Sequence, residues 1–347
     1  MDMIVRTSRC VPLFAVVLLA SASWTALPAQ EPSQAPEARR IEVAAPGETT
    51  GVHTLTPTEL ETARRIVRPP RPIQPAQVHP GDHVASGISL RNRGGGVINL
   101  RGAPANATPV KALLYWDVLV NTAASSMTVS INGVDVAGTK IGQGPGPCWG
   151  TQLNAAYQAD VPLYLLYIGI NGDYKIAGVP SSKGTGDSPW QSPASAPLAE
   201  GATLVVIYRQ AGDAFTKTYV YEAPIAGTMF FTTFATTLGG FSPPAPLTQA
   251  KFTLIGADGQ IGGGLTAAYA LTQEESFFGG QQIAGPGSTN SWVDNDSDWN
   301  GQDGGPLNQL WDTRTHVVPI KPGSTSAPVQ YVSQGDCLVT VAFVLSL

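Results

Sequence analysis

The chain has 347 residues and a formal net charge of −5, with only 13% of its residues charged against 43% hydrophobic. So little charge, with acids outnumbering bases, leaves no Lys/Arg stripe to neutralise phosphates and excludes nucleic acid as a natural partner. The apolar share, in spite of 38 Gly and 29 Pro, excludes a wholly disordered chain and predicts a packed core.

Residues 1–29 read as a signal peptide. Arg6 and Arg9 supply the positive start, "PLFAVVLLASA" the apolar run, and small residues near Ala22 or Ala29 the cleavage point. No later run approaches the roughly 18 apolar residues of a spanning helix. The expectation is an exported chain, secreted, extracellular or held at the cell surface, with no transmembrane segment in its mature form.

Residues 30–82 are Pro- and Ala-rich and end in "RPPRPIQPAQVHPGD". Prolines remove backbone donors and favour extended polyproline conformation, so this tract reads as a linker or a removable pro-segment. One short helix is expected inside it. Thr56 caps it, Pro57 takes its first position, Glu59 completes a capping box ahead of "LETARRIV", and Pro69 stops it.

From residue 83 to 347 the pattern changes to short β-type runs separated by Gly, Asn, Asp and Pro. In chain order they are "HVASGISL", "VKALLYWDVLV", "MTVSING", "DVAGTKI", "DYKIAG", "ATLVVIYR", "TKTYVYEA", "TMFFTTFA", "AKFTLIG", "THVVPI", "APVQYVS" and "CLVTVAFVLSL". Runs rich in Val, Thr, Tyr and Phe at this spacing predict an all-β fold, an antiparallel β-sandwich or jelly-roll-like single domain. Asn132-Gly133 between alternating runs predicts a two-residue hairpin. "ADVPLYLLYIG" reads as a helical turn or a buried strand, and "LTAAYALTQEESFF" carries helix formers; periodicity cannot arbitrate runs this short.

With Cys10 inside the signal, Cys148 and Cys337 remain as an even pair in an oxidising compartment, which predicts a disulfide. It would close a loop of about 190 residues, for which chain entropy gives roughly 5 kcal/mol, and it would tie early strands to the last one. The succession "ALLYWDVLV", "VSINGVDVAG", "NGDYKIAG", "EGATLVVIYR", "LIGADGQ", "LWDTRTHVV" and "GDCLVTVAFVLSL" resembles uncharacterised secreted bacterial β-sandwich surface proteins. That resemblance implies fold and location and brings no catalytic residues.

Chemistry is sparse along the chain. The mature histidines are His53, His79, His83 and His316, three of them in or beside the linker, and neither a G-x-S-x-G elbow nor an H-E-x-x-H zinc motif occurs. Glycine-rich "GADGQIGGG" lacks the lysine of a phosphate loop. Glu274 and Glu275 are adjacent, so they diverge on a strand or a helix; Asp117, Glu200 and Glu222 are the other carboxylates considered for an acid/nucleophile pair. Trp149, Trp190, Trp292, Trp299 and Trp311 fall in Gly-, Pro- or polar-rich stretches and are candidate ligand-binding aromatics, unless they plug the ends of the sandwich.

Within "SWVDNDSDWNGQDGG" the order Asp296, Asp298, Asn300, Gly301 reproduces the start of a calcium loop. Asp294, Asp303 or Asp312 would complete the oxygen shell, because Leu307 stands where an EF-hand has its bidentate Glu. A solvated Asx turn has the same composition. The sequence therefore predicts a non-enzymatic binding module, plausibly for glycans or other cell-surface components and stabilised by Ca²⁺. An extracellular carboxylate hydrolase and a structural component of a surface layer are the alternatives.

Overall fold

The computed structural model describes residues 72–146, 149, 151, 153–187, 189, 194–222, 227–228, 233–259, 274–285, 297–301, 303, 310–332 and 338–347. The signal, most of the linker and both cysteines lie outside the described residues. The strands in chain order begin with β1 (Gln77–Pro80), β2 (Asp82–Ser89), β3 (Gly96–Leu100), β4 (Thr108–Val120), β5 (Ser126–Ile131) and β6 (Val134–Pro145). They continue with β7 (Leu153–Asp160), β8 (Gly172–Ala177), β9 (Leu198–Arg209), β10 (Lys217–Glu222), β11 (Gly227–Thr228) and β12 (Thr233–Gly239). The last are β13 (Gln249–Ala257), β14 (Glu275–Phe278), β15 (Gln281–Ala284), β16 (Trp311–Pro319), β17 (Ser326–Val332) and β18 (Leu338–Ser346). The fold is all-β, as the run spacing predicts, and among the described residues it contains no α-helix.

An eight-stranded antiparallel sheet runs β2-β9-β4-β7-β6-β5-β8-β3. It curls until its first and last strands meet, with Ser86 Oγ donating to Asn99 O at 3.0 Å. Inside the curl lie Ile88, Leu114, Trp116, Tyr157, Tyr174 and Leu204. Trp116 stacks on Tyr157 at 5.8 Å, where Gly138 leaves room: a Cβ there would stand 2.1 Å from the indole.

The outer face of β4 and β9 presents Leu113, Tyr115, Val205 and Ile207 to Val220, Ile255, Val341 and Val344 of a six-stranded sheet. That sheet runs β1-β10-β18-β13-β16, with β11 also on β18. Its far face carries Phe252, Leu254, Phe343 and Leu345 against Phe234, Phe278, Val329 and Tyr331 of a four-stranded sheet, β12-β17-β14-β15. Strands β13 and β18 of the middle layer and the adjoining β4 and β9 are covered on both sides over most of their length. This is why they read as unbroken apolar runs and not as alternating ones.

The Asn132-Gly133 hairpin forms with positive φ at both residues, 49° and 80°, as a type I′ turn requires. Elsewhere the structure departs from the sequence reading. The sheets begin inside the segment taken as linker, since Ile73 bridges Leu238 and β1 pairs with β10. "ESFF" at the end of the expected helix is β14, and the rest of that candidate lies outside the described residues. Ala-rich β7, which propensity passes over, is a central strand, paired with β4 on one side and β6 on the other.

A polar seam crosses the apolar interface between the eight- and six-stranded sheets. His83, also assigned to the linker's edge, is 1% exposed there. Its Nδ1 lies 2.6 Å from Ser346 Oγ and its Nε2 2.7 Å from Thr253 Oγ1. Thr253 continues to Thr315 and Ser346 to Thr218, each at 2.7 Å. Neighbouring Asp82 accepts from Tyr208 at 2.9 Å and pairs with Lys251. Ser, His and Asp meet here, but closure from solvent makes the group a structural joint.

Burial lowers the His83 pKa from 6.5 to about 3. Between those values the unfolded chain holds a proton that the native state excludes, so stability falls as pH drops. Each pH unit in that window costs about 1 kcal/mol. The stability of the wild type relative to His83→Gln should therefore decline by about 3 kcal/mol from pH 7 to pH 4, measured by urea unfolding at several pH values. Parallel pH profiles for the two proteins would contradict the buried neutral imidazole.

Candidate functional site

One end of the eight-stranded sheet gathers the close of β7, the start of β8, the close of β3 and the close of β9. Between β7 and β8 the chain makes a 3-10 turn at Leu163–Leu166. Pro162 fixes φ at its entry and Gly169, at φ +129°, closes it. The backbone bonds run from Leu165 N to Pro162 O at 3.0 Å, Tyr167 N to Tyr164 O at 3.2 Å and Gly169 N to Leu166 O at 3.0 Å.

The turn is anchored from below. Val161, Leu166 and Ile170 are buried in the curled sheet's core. Tyr174 donates its hydroxyl to Ile170 O at 2.8 Å. Asn171 clamps the backbone of Ala103, accepting at 2.9 Å and donating at 2.6 Å.

The outward side of this turn is apolar and aromatic. Tyr164 is 64% exposed, Tyr167 88% and Ile168 96%. Such side chains held in water on an ordered turn make it the candidate interaction surface, since burying each would gain about 2 kcal/mol. Polar groups adjoin it along β3 and β8. Exposed Asp173 accepts from Arg101 Nη2 at 2.7 Å and from Asn99 Nδ2 at 2.6 Å. Sequence reading assigned this segment no function. Its signal was a Tyr/Leu run bounded by Pro and Gly that matches neither period 2 nor period 3.6.

The structure moves the predicted aromatics elsewhere. Trp299 and Trp311 are fully buried and offer no ring face to a ligand, which corrects the binding role expected of them. Trp299 packs edge-on against Tyr331 at 5.2 Å, over Gly256. Trp311 lies on Gly201 and donates to Thr203 Oγ1 at 2.9 Å. The glycines on which the indoles rest, Gly256 of β13 and Gly201 of β9, are distant in sequence from the Gly-rich stretch around the two tryptophans. Trp149 donates to Asp258 Oδ1 at 2.7 Å beneath the Arg91 guanidinium, 4.3 Å from the ring centre. Trp190 and Trp292 lie outside the described residues.

Two of the carboxylates considered at the sequence level do converge. Glu200 is the extra residue of a β-bulge, since β9 pairs Gly201 with Asp117 and Ala199 with Val118. It accepts from Arg91, which also stands 3.7 Å from Asp258, and Asn154 donates to Asp117 alongside. All four ionisable groups are buried. Burial raises the pKa of Asp117 and Glu200 well above the ordinary value, with Arg91 opposing, and raises that of Asp258, with Arg91 and Trp149 opposing. One guanidinium balances one carboxylate, so burial favours the neutral acid in the others. Asp117 and Glu200, each 0% exposed, are closed to a substrate, and the cluster fastens four chain segments together. Glu222 is half-buried on β10, and Glu274 is buried beside β14.

The described members of the calcium loop lie against Arg314 and His316. Asp298 contacts His316 Nε2 at 2.7 Å. Arg314 donates to Asn300 and stands 3.6 Å from Asp312 and 3.9 Å from Asp303. Gly301, at φ +63°, makes the expected sharp bend, and its N–H donates to Asp312 at 2.8 Å. Burial raises the Asp303 pKa to about 6, with Arg314 opposing. Among the described residues no three His, Cys, Asp or Glu converge as metal ligands. Asp294 and Asp296 lie outside the described residues.

A comparison with known protein families finds no match to this chain, and one with curated proteins finds none either. Among solved structures it is similar to a beta-porphyranase of glycoside hydrolase family 86 from the human gut bacterium Bacteroides plebeius. The identity is 10% and the TM-score 0.26, over 78% of this chain and 36% of that one. An insecticidal delta-endotoxin from Bacillus thuringiensis is similar at 11% identity and a TM-score of 0.21, over 80% of this chain and 54% of the toxin. This chain therefore spans only about a third of the enzyme and about half of the toxin, and likeness at this level says nothing of its activity.

Proposed function

We propose that the mature chain is a secreted, non-enzymatic β-sandwich module that binds glycan chains at the cell surface or outside it. The observation that carries this reading is the anchored turn presenting Tyr164, Tyr167 and Ile168 to solvent. Tyr rings are flat, rigid and amphipathic, so they suit the apolar face of a sugar ring, while Asp173, Arg101 and Asn99 supply hydrogen bonds beside them. Export rests on the leader-like start of the chain. Among the described residues no helix is long and apolar enough to cross a membrane.

Calcium between residues 294 and 312 belongs to the same proposal. It is supported by Asp298 Oδ2 and Asp312 Oδ2, which are buried without a hydrogen-bond partner among the described residues. A disulfide between Cys148 and Cys337 is supported by their neighbours. Trp149 bonds Asp258, while adjacent Ala257 pairs with Val339, two residues beyond Cys337.

On a glycan array the folded protein should retain at least one polysaccharide, and replacing both Tyr164 and Tyr167 by Ala should weaken that binding at least tenfold without changing the circular dichroism. A folded wild type that binds nothing on the array, or a double variant that binds equally well, sinks the reading; release of reducing ends from the same polysaccharides would favour the hydrolase. Calcium at millimolar concentration should raise Tm and slow proteolysis within 291–312, with Asp298→Ala removing both effects. No calorimetric heat and no change of Tm on chelation would leave only the turn. Mass mapping without reductant should recover a peptide pair joining Cys148 to Cys337, and two alkylatable thiols in native exported protein would refute it.

A further inference from the structure

We propose that the glycan met by the Tyr164/Tyr167 turn is the neutral head group of a glycolipid, and that the tip of the turn enters the lipid surface that carries it. This rests on the glycan reading above and narrows it to sugar displayed on a bilayer.

From Val161 to Ile170 the chain reads "VPLYLLYIGI", without a charged side chain and with no polar one but the two tyrosine hydroxyls. Four of its side chains reach solvent. Leu163 is 39% exposed, Tyr164 64%, Tyr167 88% and Ile168 96%. Val161, Leu166 and Ile170, buried beneath, anchor the turn. The most exposed side chain, Ile168, has neither a ring on which a sugar stacks nor a hydrogen-bonding group. A free sugar would engage the two tyrosines and leave Ile168 in water.

Two ion pairs border the apolar stretch. Lys111 Nζ donates to Asp160 Oδ2 at 2.6 Å where β7 enters the turn, and Arg101 Nη2 donates to Asp173 Oδ1 at 2.7 Å where β8 leaves it. The most exposed residue is thus aliphatic, a tyrosine stands next to it in the chain, and paired charges lie at the strand ends. A lipid surface presents matching chemistries in turn, acyl chain, interface and head group, and Tyr is enriched at the interface.

The pairing of those charges selects the head group. With each cation beside an anion, a surface rich in anionic lipid gains little there. Exposed Asp173, Arg101 and Asn99 instead offer acceptors and donors that suit the hydroxyls of a neutral sugar. A few apolar side chains alone give only marginal, reversible attachment to a bilayer, so a second contact is needed. The sugar supplies it.

The test is sedimentation of the full mature chain with vesicles of phosphatidylcholine alone, of phosphatidylcholine carrying lactosylceramide or digalactosyldiacylglycerol, and of phosphatidylglycerol, beside calorimetry with free lactose and methyl galactoside. At least one glycolipid vesicle should be bound about tenfold more tightly than the other two vesicles or the free sugars, and the Tyr164/Tyr167 double Ala variant should lose that binding. Ile168→Ser should weaken vesicle binding about fivefold more than it weakens binding of any array glycan, whereas Val317→Ser, exposed on β16, should change neither. Ile168→Trp should bring a fluorophore within reach of bromine on the acyl chains, giving quenching that the wild type lacks. Glycolipid vesicles bound no better than phosphatidylcholine, or a preference for phosphatidylglycerol, overturns the proposal. So does an Ile168→Ser variant that binds vesicles as the wild type does while array glycans are still retained; the glycan reading then stands without the lipid. A chain that binds no array glycan and sediments with every vesicle alike overturns both.

Discussion

Every residue of β18, Leu338–Ser346, is buried, and the rest of the molecule is arranged around that burial. The strand pairs with β10 on one side and β13 on the other. One of its faces sends Val339, Val341 and Val344 towards the curled eight-stranded sheet, and the other sends Phe343 and Leu345 into the aromatic core beneath the four-stranded sheet. Neither outer sheet can bury its inner face without it. These contacts are complete only when β18 has docked between β10 and β13.

Burial of that kind sets the terms for the few charges the chain carries. Arg91, Asp117, Glu200 and Asp258 form one enclosed cluster, Asp82, His83 and Lys251 a second, and Asp298, Asp312, Arg314 and His316 a third. The first two join segments distant in sequence and the third ties Asp298 to nearby β16, a task for directional polar groups where apolar contacts alone leave register loose. Their pH signatures oppose one another. His83 is held neutral, so it weakens the fold as pH falls below 6.5. Asp117 and Glu200 have raised pKa values, so the native state binds more protons than the unfolded one, and their contribution declines as pH rises above the ordinary carboxylate range.

Because these polar clusters are mostly covered, the proposed glycan contact falls to the sheet's end. There the β7–β8 connection is tied to buried anchors, Leu166 and Ile170, under the exposed turn. Anchoring of this kind would limit the entropy lost in the binding proposed for Tyr164 and Tyr167.

The amino-acid sequence by itself determined the fold class, most strand positions and the Asn132-Gly133 hairpin, because these follow from side-chain period, β-branching and local turn geometry. Asp117 and Glu200 were visible only as isolated acids. Pairing of β4 with β9 and the bulge between them bring both to Arg91. Local composition misled at Trp299 and Trp311, since the glycines that make room for their indoles, Gly256 and Gly201, lie on strands distant in sequence. His83 looked like part of a linker because its partners, Ser346 and Thr253, are 263 and 170 residues away. Burial, charge pairing and the exposure of Tyr164 and Tyr167 were decided by the tertiary structure alone. Each depends on which distant strands cover a residue, and no local pattern of residues encodes that.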